Sequence, residues 1–177
     1  MATDSALIGV LAAIVQFIVG LVLAMGSVYI GLKMFDKITK DIDEWEEVKK
    51  GNVAVGILMA AVIIAIANVV QSGVMSITAS FNGNNTLGVA LIALVVGIVN
   101  LLIALVAAIV AIYIAIRVLD RITTDIDEMA EIKKGNIPVA IIMAGVLFAV
   151  SFVISSAVGG FSNALDAQAI ADALGVQ

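Results

Sequence analysis

Residues 41–52 read DIDEWEEVKKGN and residues 125–136 read DIDEMAEIKKGN, with nine of twelve positions identical at a separation of 84. They are charged sentences in an apolar chain: of 177 residues, 63% are hydrophobic and 13% charged, and the mean hydropathy is +1.21. Soluble domains carry about a quarter charged residues, so the composition points to a membrane protein. Around the two segments, residues 5–32, 51–116 and 135–165 contain no Asp, Glu, Lys or Arg. A helix needs about 20 apolar residues to cross the hydrocarbon layer. The first and third stretches hold one span each, and the middle one holds two, divided by FNGNNT at 81–86. This predicts membrane-spanning helices near 6–33, 53–78, 87–116 and 137–158.

Charge sets the expected direction. The basic residues are Lys33, Lys37, Lys40, Lys49 and Lys50 in one segment and Arg117, Arg121, Lys133 and Lys134 in the other. The opposite side carries only Asp4, Asp166 and Asp172. Short loops rich in Lys and Arg stay cytoplasmic, which places both segments inside and the N-terminus, the 81–86 loop and the 159–177 tail outside. No basic residue precedes the first apolar run, and that run exceeds a signal core, so helix one is expected to be retained. With neither Cys nor His, disulfides, thiolate sites and imidazole chemistry are excluded. No basic groove interleaved with aromatics suggests nucleic acid.

A shift of 84 aligns Tyr29–Val74 with Tyr113–Val158 without a gap, and 23 of the 46 positions are identical. Each unit crosses the membrane twice, so both copies must share one orientation. The predicted fold is an all-α integral membrane protein of four helices, built as two tandem same-orientation hairpins related by a pseudo-two-fold axis along the membrane normal. It differs in this from the inverted repeats of many transporters. Unit one covers 1–80 with cytoplasmic segment 34–52, and unit two covers 87–158 with segment 117–136.

Within the segments, Phe35, Ile38, Ile42, Trp45 and Val48 recur at helical steps, as do Leu119, Ile122, Ile126, Met129 and Ile132. Asp41 with Glu44, and Asp125 with Glu128, have capping-box spacing. Lys49-Lys50 and Lys133-Lys134 before Gly51 and Gly135 suit a helix C-terminus. Each segment therefore reads as an extension of the preceding span, a break near 39–41 in the first copy, and a short amphipathic helix. Pro138 suits the first turn of the following span.

The stretches DKITKDIDEWEEVKKGNVAVGILMA and DRITTDIDEMAEIKKGNIPVAIIMA resemble the small bacterial and archaeal membrane proteins grouped as domain of unknown function 350. The resemblance covers the chain to about residue 158, leaves the tail outside the pattern, and implies a duplicated inner-membrane protein with no established activity. In the tail, Leu165, Ile170 and Leu174 suggest one side of a weak outer amphipathic helix.

Candidate functional residues fall into three groups. Gln16 and Asn100, equivalent under the shift, and Asn68 and Gln71 are amides inside apolar spans, where an unsatisfied polar group is costly. An interhelical hydrogen bond between the copies is expected for the first pair. The second group is a cytoplasmic docking face: Asp41, Asp43, Glu44, Glu47, Lys49 and Lys50, with Asp125, Asp127, Glu128, Glu131, Lys133 and Lys134. Helix capping and ion pairing account for these acids better than a divalent-cation site. Tyr29, Trp45 and Tyr113 form the third group, as interfacial anchors. No titratable group lies deep in a span, so neither catalysis nor a cofactor is expected. The expected function is a membrane-embedded scaffold or docking protein, homo-oligomeric and with a cytoplasmic protein partner. A channel or transporter with a polar path near Gln16, Asn68 and Asn100 is the alternative.

Overall fold

The computed structural model describes residues 2–39, 42–79, 87–165 and 167–175. These form helices α1 (Ala2–Ile38), α2 (Glu44–Lys49), α3 (Val53–Ala79), α4 (Leu87–Ile122), α5 (Glu128–Lys133), α6 (Ile137–Ala164) and α7 (Ala167–Ala173), with no strand among the described residues. In hydrocarbon every backbone N–H and C=O must be satisfied within the segment, and a helix does this for an uninterrupted apolar run. Four stretches are long and apolar enough to span a membrane: Ala13–Ile38, Val53–Met75, Leu91–Ile122 and Ile137–Ser162. The 81–86 loop expected between α3 and α4 lies outside the described residues.

With 37 residues, α1 is about 55 Å long at 1.5 Å per residue, against a hydrocarbon thickness of about 30 Å. Helix α4 is nearly as long. Both therefore project beyond the bilayer, carrying Lys33, Asp36 and Lys37 on α1 and Arg117, Asp120 and Arg121 on α4. Their projecting ends position the two short helices.

Helix α3 is the hub, in contact with α1, α4 and α6. Val55, Leu58, Val62, Ile66 and Val70 from α3 meet Ile112 and Leu119 from α4 and Met143 and Leu147 from α6 in one buried cluster. Two glycines permit the close approaches. A Cβ on Gly73 would lie 2.6 Å from Leu101 Cα on α4, and one on Gly31 would lie 2.6 Å from Ile66 Cδ1. Small residues let helix backbones meet where lipid gives no hydrophobic drive. Helices α3 and α6 are also joined by polar contacts: Asn68 Nδ2 donates to Ser151 Oγ (3.3 Å), and Ser155 Oγ donates to the Asn68 carbonyl (2.9 Å).

Helix α1 packs on α3 and α4 packs on α6, but their surroundings differ. Helix α3 packs extensively on α4, while no comparable contact of α6 with α1 occurs among the described residues. The tail also departs from expectation. Helix α6 runs on to Ala164, and α7 turns back onto α4 with Ala171 fully buried and Leu174 67% exposed. Among the described side chains of this tail Ala171 is buried, while Leu165 and Ile170 are half-buried and Leu174 is exposed, so these three do not form one buried stripe.

Candidate functional site

Helices α2 and α5 are short, and their ends hold them. Asp43 caps α2, its carboxylate accepting from Glu46 N at 3.0 Å, and Asp127 caps α5, accepting from Ala130 N at 2.9 Å. The cap thus lies two residues beyond the position expected from the Asp-x-x-Glu spacing. Asp41 lies outside the described residues, and Asp125 is exposed. The reason is that Glu44 and Glu128 are the first helical residues and turn inward, so neither can reach back to a cap.

At the other end, Gly51 (φ 83°) and Gly135 (φ 90°) take the left-handed conformation that ends a helix. Asn52 N donates to Glu47 O at 3.0 Å, and Asn136 N to Glu131 O at 3.0 Å, closing the turns. One glutamate then clamps each corner. Glu47 accepts from Lys50 Nζ (3.0 Å) and Asn52 Nδ2 (3.2 Å), and Glu131 accepts from Lys134 Nζ (2.7 Å) and Asn136 Nδ2 (2.9 Å). The same asparagines cap the next spans, accepting from Val55 N and Val139 N. Glu-x-x-Lys-x-Asn is thus a self-contained corner between an interfacial helix and a membrane span. The repetition of that spacing was the available signal for the asparagines, which the sequence analysis did not single out.

The two corners meet at one end of the bundle. Asn52 Nδ2 reaches across to the carbonyls of Lys133 (2.9 Å) and Ile132 (3.3 Å) at the end of α5. Ile38, Thr39 and Ile42 of the first copy line a cavity with Ile116 and Met129 of the second. Both charged segments therefore lie on the same side.

Glu44 and Glu128 are only 2% and 3% exposed. Burial pushes the Glu44 carboxyl above the usual range against the lowering effect of Thr39, with Asp36 and Asp43 adding to the rise. The Thr39 hydroxyl lies between the Phe35 carbonyl (3.0 Å) and the Glu44 carboxyl. It has a single proton, which it can give either to the Phe35 carbonyl or to the Glu44 carboxyl. Burial likewise raises Glu128, helped by hydrogen bonding with the Asp120 carboxyl and by the charges of Asp120 and Asp127. Glu128 Oε1 is buried with no hydrogen-bond partner among the described residues. Among the described residues no three acidic groups converge on one point.

Much of the expected docking face thus serves local structure: Asp43 and Asp127 cap, Glu47, Glu131, Lys50 and Lys134 form the corners, and Glu44 and Glu128 are buried. Trp45 (52% exposed), Glu46, Lys49, Lys133 and Asp125 are presented outward. Behind them, Lys33 Nζ lies 5.3 Å from the Tyr29 ring centroid, and the Arg117 guanidinium lies 5.3 Å from that of Tyr113. Arg117 Nε also donates to Tyr113 Oη at 3.2 Å.

The intramembrane amides do not share a path. Asn100 is 1% exposed beside Gly73, whereas Gln16 lies in an open groove on α1. Asn68 and Gln71 line a different groove between α1 and α3. No Gln16–Asn100 hydrogen bond occurs among the described residues; Asn68 bonds between helices instead, with Ser151 and Ser155.

These features define a multi-pass helical membrane protein with a duplicated interfacial helix. The profile of the family described as Domain of Unknown Function (DUF350) matches residues 6–105 and 93–176. The chain belongs to that family. The second match takes in the tail as far as residue 176, so the family pattern extends beyond residue 158. No match was found among curated proteins or among solved structures.

Proposed function

We propose that this is a non-catalytic scaffold of the cytoplasmic membrane, homo-oligomeric, that docks a cytoplasmic protein through α2 and α5. Its termini lie outside and its charged segments inside, in accord with the confinement of every Lys and Arg to those segments. The two hairpins follow a pseudo-two-fold relation about the membrane normal in their chain direction. The observation that carries the reading is the pair of capped helices at one end of the bundle, with Asn52 at the start of α3 bonded to the end of α5, presenting Trp45, Lys49 and Lys133. The side-chain clamps of the corners are made by Glu47, Lys50 and Asn52 and by Glu131, Lys134 and Asn136, so a partner can read Trp45 and Lys49 while the corner stays folded. An exposed aromatic among charges is the composition of an interaction hot spot.

The test separates docking from folding. Trp45→Ala with Lys49→Glu leaves every residue of the Glu47 and Glu131 clamps unchanged. Gentle extraction from native membranes, followed by identification of bound cytoplasmic protein, is expected to show loss of that protein from the variant at unchanged membrane levels. Unchanged recovery counts against docking.

A further inference from the structure

The 84-residue shift carries the internal α3–α4 contact onto two surfaces that the isolated chain leaves open. On α3, Leu58, Ala65, Val69 and Gly73 are buried. Their counterparts on α6 are Ile142, Ala149, Val153 and Ala157, all exposed, with Val153 going from 0% on α3 to 69% on α6. On α4, Gly97, Asn100, Ala104 and Ala108 are buried. Their counterparts on α1 are Ala13, Gln16, Gly20 and Ala24, which line the open groove.

We infer that the outer half of α1 in one copy seats on α6 of the next copy, as α4 seats on α3 within the chain. This deepens the homo-oligomeric part of the proposed function and is independent of docking by α2 and α5. Three observations select a second copy as the occupant. The internal contact is a template made of the same two surfaces. Depth agrees, because Gly73 and Ala157 each lie 20 residues beyond the first residue of their helix, at 53 and 137. Small residues recur at the matching positions as well: Gly73 becomes Ala157, Gly97 becomes Ala13, and Ala104 becomes Gly20. Seating also takes the Gln16 amide out of lipid, where polar groups are costly, onto a face carrying the exposed Ser156. Because α1 meets α6 and not itself, the interface is head-to-tail and generates a ring or an open row of copies.

The chain has no cysteine, so introduced pairs report cleanly. Ala24→Cys and Val153→Cys chains, co-expressed and oxidised in native membranes, are expected to give a crosslinked dimer that is lost when either chain is expressed alone. A chain bearing both is expected to give a ladder of higher species. Val69→Cys with Ala108→Cys in one chain marks the corresponding internal pair. Dimerisation of Ala24→Cys alone would mean a symmetric α1–α1 contact and overturn the proposal. A bond between residues 24 and 153 within one chain would overturn it too, as would absence of the intermolecular bond while the internal pair forms. Independently, Gly20→Leu, which fills the groove, is expected to reduce the gently extracted assembly to single chains; an unchanged assembly mass overturns the proposal. Neither readout depends on a cytoplasmic partner, so failure here leaves the docking test standing.

Discussion

The two copies of the repeat share their local structure and differ in what surrounds it. Both corners have an aspartate cap, a left-handed glycine and a glutamate bound to a lysine and an asparagine. Yet Asn52 also reaches into the other copy, and Asn136 stays within its own corner. Glu44 meets a threonine, whereas Glu128 lies against Asp120. Helix α3 is the most buried span and α1 the least, with 56% and 11% of their apolar windows buried. The comparison teaches that hydrogen bonds spanning a few residues are copied with the sequence, whereas burial follows position in the bundle.

The largest contrast is expected at Gly73 and Ala157. Gly73→Leu drives a side chain into the α4 backbone at Leu101 and is expected to cost about 3 kcal/mol, the upper end for overpacking. Ala157→Leu on the exposed α6 face should change the stability of the extracted single chain by no more than about 0.5 kcal/mol. Thermal unfolding in detergent measures both, and equal losses would break the contrast. Next come the asparagines. Asn136→Ala removes a helix cap and is expected to cost about 1 kcal/mol. Asn52→Ala removes a cap and the link to α5, about 2 kcal/mol in all, and hydrogen exchange should show α5 loosening only in the Asn52 variant.

The buried glutamates sharpen the comparison through pH. Their folded pKa values are raised by burial, so the stability they contribute is full below the ordinary carboxylate value and is lost as pH rises through the raised one. Glu47 and Glu131 are lowered, first by their bonds to Lys50 and Lys134, so their contribution is present above the ordinary value and is lost as pH falls through the lowered one. Amide exchange in α2 and α5 is expected to quicken as pH rises through the raised values, after correction for intrinsic exchange. Glu44→Gln and Glu128→Gln should each flatten that dependence in their own copy. The smallest effect is expected at the tyrosine–cation pairs, which are exposed. Arg117→Gln should lower the unfolding midpoint slightly more than Lys33→Gln, because Arg117 also donates to Tyr113. The reverse order would remove that hydrogen bond from the account.

Four apolar stretches and the duplicated charged segment were legible because hydropathy, helical period and repetition are properties of the chain alone. The break after α1 and the Lys-Gly corner were legible for the same reason: their contacts span a few residues. The aspartate cap was misplaced by two residues because Asp41, Asp43 and their counterparts are all plausible caps, and only the inward turn of Glu44 and Glu128 chooses between them. The fate of the amides was not legible at all. Gln16 and Asn100 are equivalent in sequence, yet one lines an open groove and the other is buried, because α3 covers α4 and, among the described residues, nothing covers the matching face of α1. The sequence determined which segments enter the membrane and how each hairpin turns, since both follow from short-range chemistry. Only the tertiary structure decided which copy's faces are buried, since one chain can close the repeated contact only once.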